Sequence, residues 1–121
     1  MRLVQARNAA RGTVLGTRLR LADSWWHRLR GLLGRPRLRP GEGLVIEPCR
    51  AVHMAGMSYA IDVAFVARDG KVIALYPGLE PGARTRWHRE AYRALELPAG
   101  TLAATGTCAG DFILCSTEEV A

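Results

Sequence analysis

The chain has little lysine, no long apolar run and no paired cysteine motif. No apolar run reaches the roughly 18 residues of a membrane-spanning helix, so we expect no membrane span. The N-terminal segment carries charges but no apolar stretch of the kind that a signal peptide contains. Cysteines without a CxxC or other zinc-type spacing are typical of free thiols in a reducing compartment. We therefore expect a cytoplasmic protein.

Basic residues are concentrated in the first third of the chain. Ten arginines and a single acid give residues 1–39 a balance of +9, whereas seven basic residues against ten acids give the remainder −3. Such asymmetry is typical of surfaces that bind nucleic acid or anionic lipid. A solvated face, or codon bias towards arginine, is the stronger explanation, and no aromatic ladder accompanies the arginines as single-strand binding would favour. Nucleic acid is therefore not the favoured partner, and the candidate anion-binding residues are Arg35, Arg37 and Arg39.

Alternating apolar and polar residues predict a mainly β fold in one domain, residues 1–121. The expected architecture is a small β-sandwich or a barrel-like sheet, because 121 residues suffice for one hydrophobic core. The predicted strands are LVQARN (3–8), TVLGTRLRLA (13–22), GLVIEP (43–48), a hairpin in IDVAFVARDGKVIALY (61–76), AYRALEL (91–97) and the end of AGDFILCS (109–116).

The hairpin is the clearest local pattern in the chain. Asp69-Gly70 is a favoured two-residue turn, and that register places Ala64 opposite Leu75 and Val66 opposite Ile73. Both faces of the two strands are then apolar. We therefore expect central strands that are covered on both sides.

Two helices accompany the predicted strands. DSWWHRLRGLLGR predicts the main helix over about residues 24–33, capped by Asp23 or Ser24. PAGTLAATG predicts a short helix near 98–105, where proline favours the first turn. The apolar stripe of the main helix is most simply a cover for the sheet, and it consists of Trp25, Trp26, Leu29, Leu32 and Leu33.

Five segments in order, RGLLGR, GEGLVIEPCRAVHM, GMSYAIDVAFVARDGKV, ALELPAGT and GDFIL, resemble the DUF192 family, also called the UPF0127 group. The resemblance covers about residues 28–115. It implies a compact, mainly β domain with a short helix packed on it, and it implies no activity, since the family has none assigned. Related sequences often carry a bulky aromatic residue shortly before the methionine, where this chain has Ala55 and Gly56. If this position lines a cavity, we expect a larger cavity here.

The stretch CRAVHMAGM places Cys49, His53 and Met57 at four-residue steps. Thiolate, imidazole and thioether favour copper, so copper or another soft metal is one hypothesis. Four residues of a strand advance about 13 Å, however, so an extended segment cannot bring all three to one ion. On such a segment the same residues, with Ala51 and Ala55, line one face, which is suited to core packing or to a pocket with one polar group.

A second candidate is Asp62, at the start of a strand. We expect a partly buried carboxylate there, partnered by Arg50, Arg30, His53 or free backbone N–H groups of the preceding loop. A histidine–aspartate pair can form a general base, but it is more often structural. Cysteine catalysis by Cys49 lacks an accompanying signature.

The sequence thus favours a non-enzymatic binding or accessory module with a small pocket beside residues 49–62. Its ligand would be a small molecule or a protein segment. Soft-metal binding and polyanion binding are the alternatives. The candidate ligand-binding residues are His53, Asp62, Met57, Cys49, Arg50 and Arg30.

Overall fold

The structure is a computed structural model that describes residues 2–24, 27–28 and 31–117. It confirms a mainly β fold. In the described part of the chain, seven strands form the sheet, and the short helix α1 precedes the last of them. The elements are β1 (Leu3–Asn8), β2 (Thr13–Ala22), β3 (Glu42–Ile46), β4 (Ile61–Val66), β5 (Val72–Leu79), β6 (Arg93–Pro98), α1 (Thr101–Ala104) and β7 (Ile113–Thr117).

All seven strands belong to one curled sheet in the order β5-β4-β6-β3-β2-β1-β7. Neighbours are antiparallel except β2 and β3, which are parallel and therefore need a crossover between them. The two outermost strands approach each other at one end, where Lys71 and Phe112 form an isolated bridge. The N–H of Ile113 also donates to the carbonyl of Gly70 over 2.8 Å. The barrel-like alternative is therefore the correct one.

The hairpin between β4 and β5 differs from the predicted register at its turn. The N–H of Ala67 donates to the carbonyl of Lys71, and the N–H of Gly70 donates back to Ala67, both over 2.9 Å. This is a three-residue loop with Gly70 at φ +100°, so Val66 pairs with Val72 rather than with Ile73. A register shift between Phe65 and Val66 then restores the predicted pairing, so that Ala64 lies opposite Leu75. The two-residue turn was wrong because a glycine with positive φ also suits the longer loop.

The segment of the predicted main helix, about 24–33, falls between β2 and β3, and its described residues 31–33 form a turn rather than the predicted last turn of helix. His27 and Arg28 are helical, and the N–H of His27 donates to Ser24 Oγ over 3.2 Å, a capping contact of the predicted kind. Trp25, Trp26, Leu29 and Arg30 lie outside the described residues. Within the described part of the chain, no helix is both long and apolar enough to cross a membrane.

The sheet buries apolar side chains on both faces, as the hairpin pattern predicted. We call the face that all seven strands and α1 share the inner core; it consists of Val4, Ala6, Leu15, Leu19, Leu21, Val45, Ala64, Val66, Val72, Leu95, Leu97, Leu102 and Ile113. The opposite face, the outer core, is covered by loop residues and consists of Ala22, Leu32, Leu44, Ile46, Val52, Met54, Tyr59, Ile61, Val63, Phe65, Ala91 and Ala94.

Asp62 of β4 points towards the inner core and is 0% exposed. Its Oδ1 accepts a hydrogen bond from the N–H of Gly78 (2.9 Å), and its Oδ2 accepts one from the N–H of Leu102 (2.8 Å). The carboxylate thus joins β4 to β5 and to the first turn of α1, which has no side-chain cap of its own. Backbone donors were among the expected partners, but they come from β5 and α1 rather than from the preceding loop.

Replacing Asp62 by alanine should destabilise the fold strongly. The change leaves two backbone N–H groups without an acceptor in the protein interior, and each costs about 1–3 kcal/mol. We expect the free energy of unfolding, measured by urea denaturation, to fall by about 2–5 kcal/mol.

Asp69→Ala is the matched control, because the Asp69 carboxylate also accepts a backbone hydrogen bond, from Lys71 (3.0 Å), but at an exposed turn. Water can replace that acceptor, so the loss should be about 1 kcal/mol or less. If both variants lose the same free energy of unfolding, Asp62 does not stabilise the junction of β4, β5 and α1.

Candidate functional site

An open cleft of about 470 Å³ lies over the outer core. Its floor includes Ile46 of β3, Ile61 of β4 and Glu96 of β6. The walls come from three parts of the chain: residues 48–55 with Met57, Arg28 with residues 31–33, and the exposed Trp87. Most lining residues are apolar, and the polar ones are Arg28, Cys49, Arg50, His53 and Glu96.

Residues 51–55 form an extended wall whose side chains alternate. Val52 and Met54 are buried in the outer core, whereas Ala51, His53 and Ala55 are exposed. The wall is held by the neighbouring segment 83–85: the N–H of Met54 donates to Ala83 (2.8 Å), and the carbonyl of Val52 accepts from Thr85 (2.9 Å). The predicted period of two is confirmed here, and the packed face is the one without His53.

The chain turns after this wall, at Gly56. The N–H of Met57 donates to the carbonyl of Met54 over 3.1 Å, and Gly56 has φ +81°, a conformation that favours glycine in such turns. A Cβ at Gly56 would lie only 2.8 Å from Leu33 Cδ1. The space beside Gly56 is therefore filled by Leu33, and of the small pair it is Ala55 that lines the cleft.

Glu96 is the residue that the sequence reasoning missed. It lies on β6 opposite Val63 of β4 and Leu44 of β3, between Leu95 and Leu97, which both face the inner core. Its side chain therefore faces the outer core and the cleft. Only 5% of the residue is exposed, and burial raises the pKa of its carboxyl group to about 7. The available signal was the alternation in ALELP, which places Glu96 on the same face as Ala94.

The carboxyl group of Glu96 has no ion-pair or hydrogen-bond partner among residues 2–24, 27–28 and 31–117. Buried carboxyl groups are ordinarily paired or hydrogen-bonded, because desolvation of the charge costs free energy. A carboxyl group in this state is available to a molecule that enters the cleft.

Arg28 and Cys49 line the same cleft. The Nε of Arg28 is buried and has no hydrogen-bond partner in the described part of the chain, while Nη1 makes a long contact of 3.4 Å to the carbonyl of Pro48. Burial raises the pKa of the Cys49 thiol to about 11, and its Sγ lies 3.2 Å from the carbonyl of Ala51. The thiol is thus protonated at neutral pH, whereas a catalytic cysteine needs a thiolate.

The cleft brings together four of the predicted ligand-binding residues: Cys49, Arg50, His53 and Met57. Asp62 does not line it, because successive side chains of β4 alternate between the two cores. Arg30 lies outside the described residues. Of the candidate partners of Asp62, His53 is therefore wrong: His53 is exposed, and its backbone forms an isolated β-bridge with Arg84.

The metal hypothesis concerns Cys49, His53 and Met57, which all line the cleft. Among the described residues, no group of three or more histidine, cysteine, aspartate and glutamate side chains is placed to hold a metal ion. That finding does not test a thioether ligand. Copper binding stays a prediction.

The candidate anion-binding arginines lie outside the cleft lining. Arg35 Nε contacts the carbonyl of Gly31 over 3.4 Å, and the guanidinium of Arg37 lies 5.2 Å from the centre of the Tyr59 ring. Arg39 is exposed, and its backbone N–H donates to Glu42 Oε1 over 2.8 Å. Polyanion binding also stays a prediction.

The buried His88, paired with Tyr76, supports the segment that carries Trp87. His88 Nε2 lies 2.6 Å from the hydroxyl of Tyr76, and its ring centre is 4.7 Å from that of Phe65. Burial lowers the pKa of His88, so its ring is neutral at physiological pH. The N–H of His88 donates to the carbonyl of Arg50 over 2.8 Å, which links this segment to the cleft wall.

These observations define a small single-sheet β protein with an apolar-walled cleft over its outer face. The chain belongs to the DUF192 family, whose model, described as "Uncharacterized ACR", matches residues 6–114. The resemblance in the sequence is thereby confirmed. The family is uncharacterised, so membership assigns no activity.

Two solved structures are similar to this chain at TM-scores of 0.78 and 23% identity. One is a protein of unknown function from Novosphingobium aromaticivorans DSM 12444; the match covers 93% of this chain and 83% of that one. The other, from Sinorhizobium meliloti 1021, is described as a candidate transcription regulator, with coverage of 94% and 92%. At this identity the likeness shows the fold alone. A search of curated proteins finds no match.

Glu96→Gln should remove a pH dependence of stability. The folded-state pKa of about 7 exceeds the ordinary value of 4.5, so protonated Glu96 contributes stability that is fully present below pH 4.5 and is lost as pH rises to about 7. The free energy of unfolding is measured by urea denaturation at pH 5 and at pH 8. Between these pH values, the difference in this free energy between the variant and the wild type should shift by up to about 3 kcal/mol in favour of the variant.

Glu80→Gln is the control for this measurement, because Glu80 is exposed and lies outside the cleft lining. It should follow the wild-type pH dependence. A Glu96→Gln protein with the same pH dependence as wild type would contradict the burial of an ionisable Glu96.

Proposed function

We propose that this protein is a non-enzymatic binding or accessory module whose ligand occupies the cleft over the outer core. The single observation that carries the proposal is the carboxyl group of Glu96, buried in an apolar-walled cleft without a partner among the described residues. Glu96 therefore joins His53, Cys49, Arg50 and Met57 as a proposed ligand-binding residue.

The energetic argument concerns the cost of that carboxyl group in the free protein. Burial that raises its pKa by more than two units costs about 3 kcal/mol when the group ionises. A leucine at this position, flanked by Leu95 and Leu97, would remove the cost and extend the apolar strand. A ligand that supplies a hydrogen-bond donor or a positive charge offsets this cost on binding, so the buried carboxyl group favours the bound state.

A binding role suits the cleft better than catalysis through its cysteine. The thiol of Cys49 is half-buried and has a raised pKa, so it lacks the thiolate that nucleophilic attack requires. The apolar walls and the small number of polar groups are typical of small-molecule sites. The ligand class is a small molecule or a short segment of a partner protein.

We place the module in the cytoplasm. Cys49, Cys108 and Cys115 are all free thiols, and together they are the three cysteines of the chain. Free thiols are typical of proteins in a reducing compartment.

Ala55→Trp tests whether the cleft is the binding site. Ala55 is exposed and lines the cleft, so an indole there fills the cleft without disturbing the core. We expect fragments that bind the wild type, detected by ligand-observed NMR, to lose about 90% of their signal change in this variant, as for an affinity reduced about tenfold.

Ala103→Trp is the matched control, because Ala103 is exposed on α1 and lies outside the cleft lining. It should leave fragment binding unchanged. Binding that survives Ala55→Trp, or is lost equally in both variants, counts against the cleft as the site.

Copper binding remains a separate prediction, with Cys49, His53 and Met57 as ligands. It requires about one copper per chain after reconstitution and dialysis, measured by elemental analysis, and loss of that copper in His53→Ala. Copper retained by His53→Ala rules out the predicted ligand set.

A further inference from the structure

We propose that the cleft binds small apolar aminoacyl compounds, with their ammonium group on Glu96 and their carbonyl oxygen on Arg28. The inference rests on the proposed function, because it names the ligand class of the same cleft. Two sources share this chemistry, namely a free amino acid and the N-terminal residue of a peptide.

The first step is the pair of unpartnered polar groups. Glu96 offers a carboxyl group, and Arg28 offers a buried Nε–H, and neither has a hydrogen-bond partner among the described residues. An unmade hydrogen bond at a buried group costs about 1–3 kcal/mol. A ligand that carries both a donor and an acceptor satisfies both groups at once.

The second step is the arrangement of these groups around Cys49. The thiol of Cys49 is influenced by the negative charge of Glu96 and, in the opposite sense, by the positive charge of Arg28. Arg28 and Glu96 form no ion pair with each other. Arg28, Cys49 and Glu96 all line the one cleft, so the guanidinium and the carboxyl group offer two separate polar contacts to a single ligand.

The third step is the charge balance of the cleft. Among the described lining residues, Arg28 and Arg50 are cations and Glu96 is the one acid. A simple amine meets repulsion from the arginines, and a simple carboxylate meets repulsion from Glu96. A molecule with an ammonium group and a neighbouring carbonyl or carboxylate oxygen complements both signs.

The fourth step concerns the apolar part of the ligand. Leu32, Val52, Met54 and Met57 line the cleft together with Trp87, which is 66% exposed. About 470 Å³ is ample for one apolar side chain and its aminoacyl group. Burial of a leucine-sized side chain contributes about 1.5–3 kcal/mol, so apolar side chains should be preferred to polar ones.

The test is isothermal titration calorimetry at pH 7.5 with four probes: leucine, leucinamide, the dipeptide Leu-Ala and N-acetylleucinamide. We expect at least one of the first three to bind, and N-acetylleucinamide to bind about tenfold or more weakly, because acetylation removes the ammonium charge. A higher affinity for leucine than for Leu-Ala identifies free amino acids as the source of the ligand. A higher affinity for Leu-Ala identifies peptide N-termini.

Two variants assign the contacts. Glu96→Gln should weaken the binding of the strongest probe about tenfold or more, and Arg28→Gln should weaken it by a similar factor. Glu80→Gln and Arg68→Gln are the matched controls, since both residues are exposed and lie outside the cleft lining. Circular dichroism and the urea midpoint confirm that each variant is folded.

Failure of this inference can be told apart from failure of the proposed function. If fragments bind the wild type and are lost in Ala55→Trp, but none of the three amine probes binds, the cleft is a binding site and the aminoacyl proposal is wrong. Equal affinity for leucinamide and N-acetylleucinamide, or undiminished binding in Glu96→Gln, also overturns it.

Discussion

Burial of the central strands on both faces is the constraint on which the rest of this structure depends. Every residue of β4 is buried, so the sheet needs a second cover beyond the inner core inside its curl. The loops that follow β3 and β5 supply that cover, and they are fastened to each other by backbone hydrogen bonds such as that from Met54 to Ala83. The cleft is the part of the outer face that this cover leaves open.

Two buried carboxyl groups on neighbouring strands illustrate how the same residue class takes different roles on the two faces. Asp62 faces the inner core and accepts two backbone hydrogen bonds, so it stabilises the junction of β4, β5 and α1. Glu96 faces the outer core, with no partner among the described residues and a raised pKa. A structural carboxylate is satisfied by its own fold, whereas a carboxyl group left unsatisfied in an open cleft is available to a ligand.

Local sequence patterns predicted much of the fold. LVQARN and TVLGTRLRLA coincide with β1 and β2, and the short helix was correctly placed because glycine and proline limit it locally. The two-sided burial of the hairpin followed from its two apolar faces. The turn was wrong by one residue because Asp69-Gly70 suits loops of two and of three residues, and in the observed three-residue loop the carbonyl of Gly70 accepts a hydrogen bond from Ile113 of β7.

The sequence by itself determined that the chain forms a β-rich domain and that residues 51–55 carry an alternating face, since both depend on periods of two along the chain. Tertiary structure alone decided which groups meet in the cleft. Arg28, Cys49 and Glu96 are far apart in the sequence and converge because β6 lies between β3 and β4 in the sheet. Asp62 lies on the inner face and Glu96 on the outer face, because the sheet's curl decides which of the two alternating faces of each strand is enclosed.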